Sequence, residues 1–184
     1  MNSSNDLKSD QNVMADNIIA RKVLVADDDI PNRLILQAIL EKQGYKVLLA
    51  DDGLQAVEVF RREQPDLVLM DINMPQMDGY EATQEIKSIS GEAFVPVIFL
   101  TATTDSEGLA KCVESGGDDF LTKPYNRVLL QARIDALLRI RELYNTVQHQ
   151  RNELASHQKR LDRERQLAKR LFSNILETGA LNLP

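Results

Sequence analysis

KVLVADDDIPNRLILQAILEKQGYKVLLA, residues 22–50, contains one full period of the pattern from which the fold follows. KVLVA (22–26) is a short, continuous apolar run with β-branched residues, the signature of a strand buried on both faces. RLILQAILEKQG (33–44) then places Leu34, Ile35, Ala38 and Ile39 at helical spacing, and Gly44 is read as the stop. KVLLA (46–50) opens the next period and precedes LQAVEVFRRE (54–63). DLVLM (66–70) precedes GYEATQEIKSI (79–89), VPVIFL (95–100) precedes SEGLAKCVESG (106–116), and DDFLT (118–122) precedes a long helix. Alternating strands and helices with short connections predict a parallel sheet covered on both sides. Ligands of such sheets sit beyond the carboxyl ends of the strands, at the point where the strand order reverses.

The residues at those ends are chemically concentrated. Asp27, Asp28 and Asp29 follow the first strand, and Asp71-Ile72-Asn73-Met74-Pro75 follows the third. Thr101-Ala102 follows the fourth and Lys123-Pro124 the fifth. Several carboxylates crowded on one edge repel one another and require compensation. A hard divalent cation such as Mg²⁺, or Mn²⁺ in its place, supplies it through oxygen ligands. Lys123 adds a positive charge that metal coordination alone does not need. A cation, a divalent metal and a hydroxyl together suit a phosphoryl group, with one carboxylate free to act as nucleophile. Asp29, directly before Ile30-Pro31, is read as a helix cap. Met70 is read as core, and Met74-Pro75 with Asp78-Gly79 as a turn shaping the site.

Composition bounds the class. The 184 residues are 43% hydrophobic and 27% charged, the balance of a globular protein. The single cysteine, Cys112, excludes an internal disulfide and a thiolate zinc cluster. No apolar run approaches the roughly 18–20 residues of a bilayer span, and residues 1–20 have no signal-peptide pattern. A reducing, cytoplasmic location is expected. Residues 1–20, polar and aperiodic, are read as a flexible lead-in. The net charge of -6 is uneven, with -11 over residues 1–125 and +5 over 126–184.

The motifs VLVADDD (23–29), DLVLMDINMPQMDGYE (66–81), VPVIFLTA (95–102) and DDFLTKPY (118–125) resemble the receiver domain of two-component response regulators. The resemblance covers residues 22–125. It implies an α/β, flavodoxin-like (βα)5 doubly wound parallel sheet of order 2-1-3-4-5. It implies Asp71 as phosphoacceptor, with Mg²⁺ held by Asp27, Asp28, Asp71 and the backbone carbonyl of Asn73. Lys123 and Ala102 would meet the phosphoryl oxygens, and Thr101 would be the switch hydroxyl. Phe120 stands where the family has its switch aromatic and, lacking a hydroxyl, would act by packing. The family precedes Pro124 with a cis peptide, and the position of Asn73 tunes the lifetime of the phosphorylated state. A histidine kinase or phosphotransfer protein would be the donor.

From Arg127 to Glu177 there is no Pro and no Gly, so the last helix is predicted to continue to Gly179, the first breaker. Ile140, Val147, Leu154, Leu161, Ala168 and Ile175 recur every seven residues, with Leu143, Gln150, His157, Glu164 and Leu171 three positions later. This is a coiled-coil seam, apolar throughout on one row and only at its ends on the other, read as a parallel homodimer of limited stability. His149 and His157 lack the i, i+4 spacing of a helical zinc pair. The predicted divisions are a lead-in (1–20), a receiver (21–140), a helical linker (141–178) and the start of an effector or a tail (179–184).

RERQLAKRLFSNILETGALNLP (163–184) resembles the junction found in response regulators whose effector is a PPM-type serine/threonine phosphatase. Helical linkers of this kind also precede diguanylate cyclases. No effector motif follows, so the chain is read as ending at its linker or as a natural single-domain regulator, in either case not an enzyme beyond its own phosphorylation and dephosphorylation. Other readings are a phosphorylation-independent adaptor and a DNA-binding regulator. The intact acidic pair, Thr101 and Lys123 argue against the first. The lack of a helix-turn-helix signature argues against the second. A haloacid-dehalogenase-like phosphatase would carry its nucleophile after the first strand, not the third.

Overall fold

The computed structural model describes residues 20–102 and 106–180, with side chains to 102 and over 108–170. Five strands alternate with five helices: β1 Lys22–Ala26, α1 Ile30–Glu41, β2 Lys46–Ala50, α2 Gly53–Glu63, β3 Leu67–Asp71, α3 Gly79–Ser90, β4 Val97–Thr101, α4 Ser106–Glu114, β5 Asp119–Thr122 and α5 Arg127–Ala180. All strand pairs are parallel and the order is β2-β1-β3-β4-β5, as expected for the flavodoxin-like sheet. The chain divides into two compact units between Leu138 and Arg139, and α5 contributes to both.

Side chains on a strand alternate between faces, and the core of the first unit follows that period of two. Leu24, Ala26, Val68, Met70, Val97 and Phe99 pack with Ala56, Val57 and Phe60 of α2, Tyr80 and Ile86 of α3, and Cys112 of α4. Val23, Val25, Leu67, Leu69, Ile98 and Leu100 pack on the other side with Leu36, Ile39 and Leu40 of α1 and with Leu130, Ile134, Leu137 and Leu138 of α5.

Boundaries differ from the sequence reading for local reasons. α1 begins at Ile30, three residues early, because Asp29 accepts a hydrogen bond from Asn32 N (2.9 Å) and Pro31 fits the first turn. It ends at Glu41; Gly44, at φ +87°, belongs to the turn beyond. β3 starts at Leu67 because the Asp66 carboxylate accepts the Lys22 amide (2.7 Å), and it keeps Asp71 in register with Leu100. β4 starts after Pro96, which has no N–H for the ladder. The last helix continues through Gly179 to Ala180. The predicted lead-in lies outside the described residues up to 19, as do 181–184 of the predicted tail.

Candidate functional site

The crevice lies where the sheet order reverses. β1 is flanked by β2 and β3, so its outgoing connection diverges from that of β3 and leaves a gap above their carboxyl ends. Asp27 fills the floor of the gap with no solvent exposure, and Asp71, the last residue of β3, is 7% exposed. Asp28 is exposed at the rim. One carboxylate oxygen from each of the three lies within 4.8 Å of the other two.

Lys123 enters from the far strand. Its backbone amide donates to Thr101 O (2.7 Å), continuing the β4–β5 pairing by one residue. The Lys123-Pro124 bond is cis. The ammonium then stands 2.7 Å from Asp27 Oδ2 and 3.1 Å from Asp71 Oδ2. Three carboxylates against one ammonium leave two negative charges, which a divalent cation neutralises. The donor set is entirely carboxylate oxygen, the preference of Mg²⁺ and Mn²⁺, so the residues present fit such an ion.

The electrostatics agree. Burial pushes the Asp71 carboxyl above its ordinary value; Lys123 pulls it down and the charge of Asp27 pushes it up again. Burial alone would lower the Lys123 ammonium, but its bonds to Asp27 and Asp71 outweigh burial and raise it. Asp71 is thus a carboxylate short of hydration beside a firmly charged ammonium.

Thr101 is buried at the end of β4, opposite Thr122, and Ala102 beside it is exposed. Asn73 is exposed two residues past Asp71. Phe120 pairs with Phe99 in the sheet and packs, half-buried, against the core cluster that includes residues of α2 and α3 and Cys112 of α4. In the second unit Ile140, Val147, Leu154 and Leu161 are 48–66% exposed, and Ala168 is exposed. The Ile175 side chain lies outside the described residues.

Three neighbours of the site went unnoticed in the sequence. Asn32 Nδ2 donates to Asp27 Oδ1 (3.4 Å), and the Arg33 guanidinium donates to the Asp27 carbonyl. The Tyr125 phenol is raised by burial and then by the charge of Asp27. The signal available for the first two was their place in the first turn of a helix that starts immediately after the acidic cluster.

Known proteins are similar to this chain. The family model for the response regulator receiver domain matches residues 23–135. The "Probable transcriptional regulator ycf27" of Cyanophora paradoxa is 42% identical over 119 residues, covering 65% of this chain and 48% of that protein. The transcriptional regulatory protein CseB of Streptomyces coelicolor is 40% identical over 117 residues, covering 64% and 49%. The chain thus spans about half the length of the curated relatives it matches. Among solved structures, the receiver domain of sensor histidine kinase PA1611 from Pseudomonas aeruginosa is 36% identical, with TM-score 0.60, covering 65% of this chain and 98% of that one; a magnesium ion is coordinated in its active-site cleft. Chemotaxis protein CheY4 of Vibrio cholerae is 30% identical, with TM-score 0.61, covering 64% and 98%. With the matching motifs on a sheet of the same order, and with an acidic crevice and its lysine in place, this chain belongs to the response regulator receiver domain family and serves in phosphorylation-dependent signalling.

Proposed function

We propose that this chain is a switch in which Asp71 accepts a phosphoryl group from a histidine kinase or phosphotransfer protein. The supporting observation is the convergence of Asp27, Asp28 and Asp71 with the Lys123 ammonium in one crevice. In this reading an Asp71 oxygen bonds to phosphorus as the phosphorus–nitrogen bond of the donor imidazole breaks, and the nitrogen leaves with the electron pair. Asp27, Asp28, Asp71 and the Asn73 carbonyl would hold Mg²⁺ or Mn²⁺, which when bound offsets negative charge on the phosphoryl oxygens. Lys123 keeps its bond to Asp27 while turning from Asp71 to a phosphoryl oxygen. Thr101 donates its hydroxyl, Ala102 borders the phosphoryl group, and Phe120 repacks without a hydroxyl to anchor.

In the same reading the receiver spans 21–140, the linker 141–178, and the linker pairs as a parallel homodimer along Ile140, Val147, Leu154, Leu161, Ala168 and Ile175. The exposure of the first four of these residues supports that pairing. The effector is taken as a PPM-type serine/threonine phosphatase, from the resemblance of residues 163–184, with a diguanylate cyclase as the other linker-fed output. The names of the transcriptional relatives favour a second reading, a DNA-binding output. Among the described residues no helix is long and apolar enough to cross a membrane, and a cytoplasmic location completes the reading.

The test is labelling by acetyl phosphate. Wild-type chain with Mg²⁺ should take up one phosphoryl group. Asp71→Asn, or wild type with the metal chelated, should take up none. Equal labelling of wild type and Asp71→Asn would overturn the assignment of Asp71.

A further inference from the structure

Between Asp71 and α3 the chain makes a loop, residues 72–78, that carries Asn73. Two of its contacts are local. Gly79 N donates to Ile72 O (2.9 Å), and Met77 N to Pro75 O (2.7 Å). A third reaches outside the loop: Gln76 Nε2 donates to Asp52 Oδ2 at 2.8 Å. Asp52 is 8% exposed, and its other oxygen accepts Gln55 N (2.7 Å) as the cap of α2. One carboxylate therefore both starts a helix and holds a loop 24 residues away.

Two further observations mark the contact as built. Gln76 adopts φ +64°, a left-handed conformation that is strained for a non-glycine residue. The backbones also meet at Gly53, where an added Cβ would stand 2.4 Å from Met77 O. A loop locked by a strained residue and a buried acceptor has lost its freedom before any ligand arrives, and preorganisation of this kind is returned as affinity.

We propose that the Asp52–Gln76 hydrogen bond is a positioning strap that presets the loop carbonyls for the divalent cation. Neither residue touches the ion; they act through the path of the chain at Asn73. The inference deepens the metal reading above and rests on it.

The strap is tested by titrating the full chain with MgCl₂ and following backbone amide shifts of residues 72–78, well below the melting temperature. Asp52→Ser keeps a good cap for α2 but leaves no second oxygen for Gln76, whereas an Asn there could donate its NH₂ to the flipped Gln76 amide oxygen. Gln76→Gly removes the strap and relaxes the left-handed backbone. Each should weaken Mg²⁺ by about three- to tenfold, toward the low end for groups that orient metal ligands. The double variant Asp52→Asn/Gln76→Glu reverses the polarity of the bond at unchanged net charge and should recover most of the wild-type affinity. A purely structural bond would move the melting temperature and leave the Mg²⁺ affinity alone. Either single variant binding within twofold of wild type, or a double variant no tighter than the singles, overturns the strap. A wild-type chain that takes up no Mg²⁺ overturns both the strap and the metal reading; wild-type binding with unchanged variants overturns the strap alone.

Discussion

Lys123 and Asp27, 96 residues apart, are joined by a 2.7 Å ion pair whose carboxylate has no solvent exposure. A buried carboxylate that loses its paired ammonium is costly, by about 3 kcal/mol or more. Lys123→Met should therefore lower stability by about 3 kcal/mol at neutral pH in urea denaturation without divalent cations. Because folding raises the ammonium above its ordinary value of 10.5, its contribution is complete below that pH and fades only as pH climbs through the folded value. Mg²⁺ should restore more stability to Lys123→Met than to wild type. A variant as stable as wild type at pH 7 would contradict the role given to the pair.

Asp71 acts in the opposite sense. Its folded pKa is raised above 3.8, so between 3.8 and the folded value the native state holds the proton that the unfolded chain has released. Stability falls as pH rises through that window, and above it the ionised carboxylate opposes folding. Asp71→Asn should be more stable than wild type at pH 7 without metal, with the gain vanishing below pH 3.8. Urea midpoints across a pH series check this. A variant less stable than wild type at pH 7 would mean that the pairing with Lys123 outweighs burial.

Thr83 on α3 has no solvent exposure, and among the described residues its hydroxyl oxygen has no hydrogen-bond partner. An unsatisfied buried hydroxyl carries a desolvation cost of about 1–3 kcal/mol. Thr83→Val keeps the shape and removes that cost, and should raise stability by about 0.5–1 kcal/mol with acetyl phosphate labelling unchanged. Thermal denaturation decides it, and a loss of stability would reveal a partner for the hydroxyl.

Gly79 packs its α-carbon against the strand that carries the proposed phosphoacceptor. A Cβ there would stand 2.0 Å from the Asp71 carbonyl oxygen, a rigid backbone atom. Gly79→Ala must move either the start of α3 or the end of β3, at a cost of about 3 kcal/mol or more. The folded fraction should keep its far-UV spectrum but label poorly with acetyl phosphate. Full labelling at wild-type stability would show that the two backbones separate freely.

These residues also show where the sequence was informative. The strands were legible because both faces of the sheet are covered, so β1, β3 and β4 read as largely apolar runs with a site residue at or just beyond the end. Their ends were less so. Asp66 and Asp118 look like strand residues, but their carboxylates cap neighbouring strands at Lys22 N (2.7 Å) and Val97 N (2.8 Å). The acidic pair, Asp71, Thr101 and Lys123 could be placed because strand order alone dictates which ends meet. The contacts of Arg33 with Asp27 and of Gln76 with Asp52 depend on loop paths, which no periodicity encodes. The seven-residue repeat along Val147, Leu154 and Leu161 is visible in the sequence and the three side chains are exposed, but the partner proposed for them, a second copy, is not encoded in the fold of a single chain.

We further propose that phosphorylation of Asp71 alters pairing of the C-terminal helix, because α5 runs without a break from its core residues Leu130, Ile134, Leu137 and Leu138 into the seven-residue repeat. Light scattering of the full chain with Mg²⁺, with and without beryllofluoride as a mimic of the aspartyl phosphate, tests it directly when Asp71→Asn is run alongside. The account predicts a change in mass or in association constant on adding beryllofluoride to wild type, and no change in Asp71→Asn. An identical mass and association constant with and without beryllofluoride in wild type would contradict it.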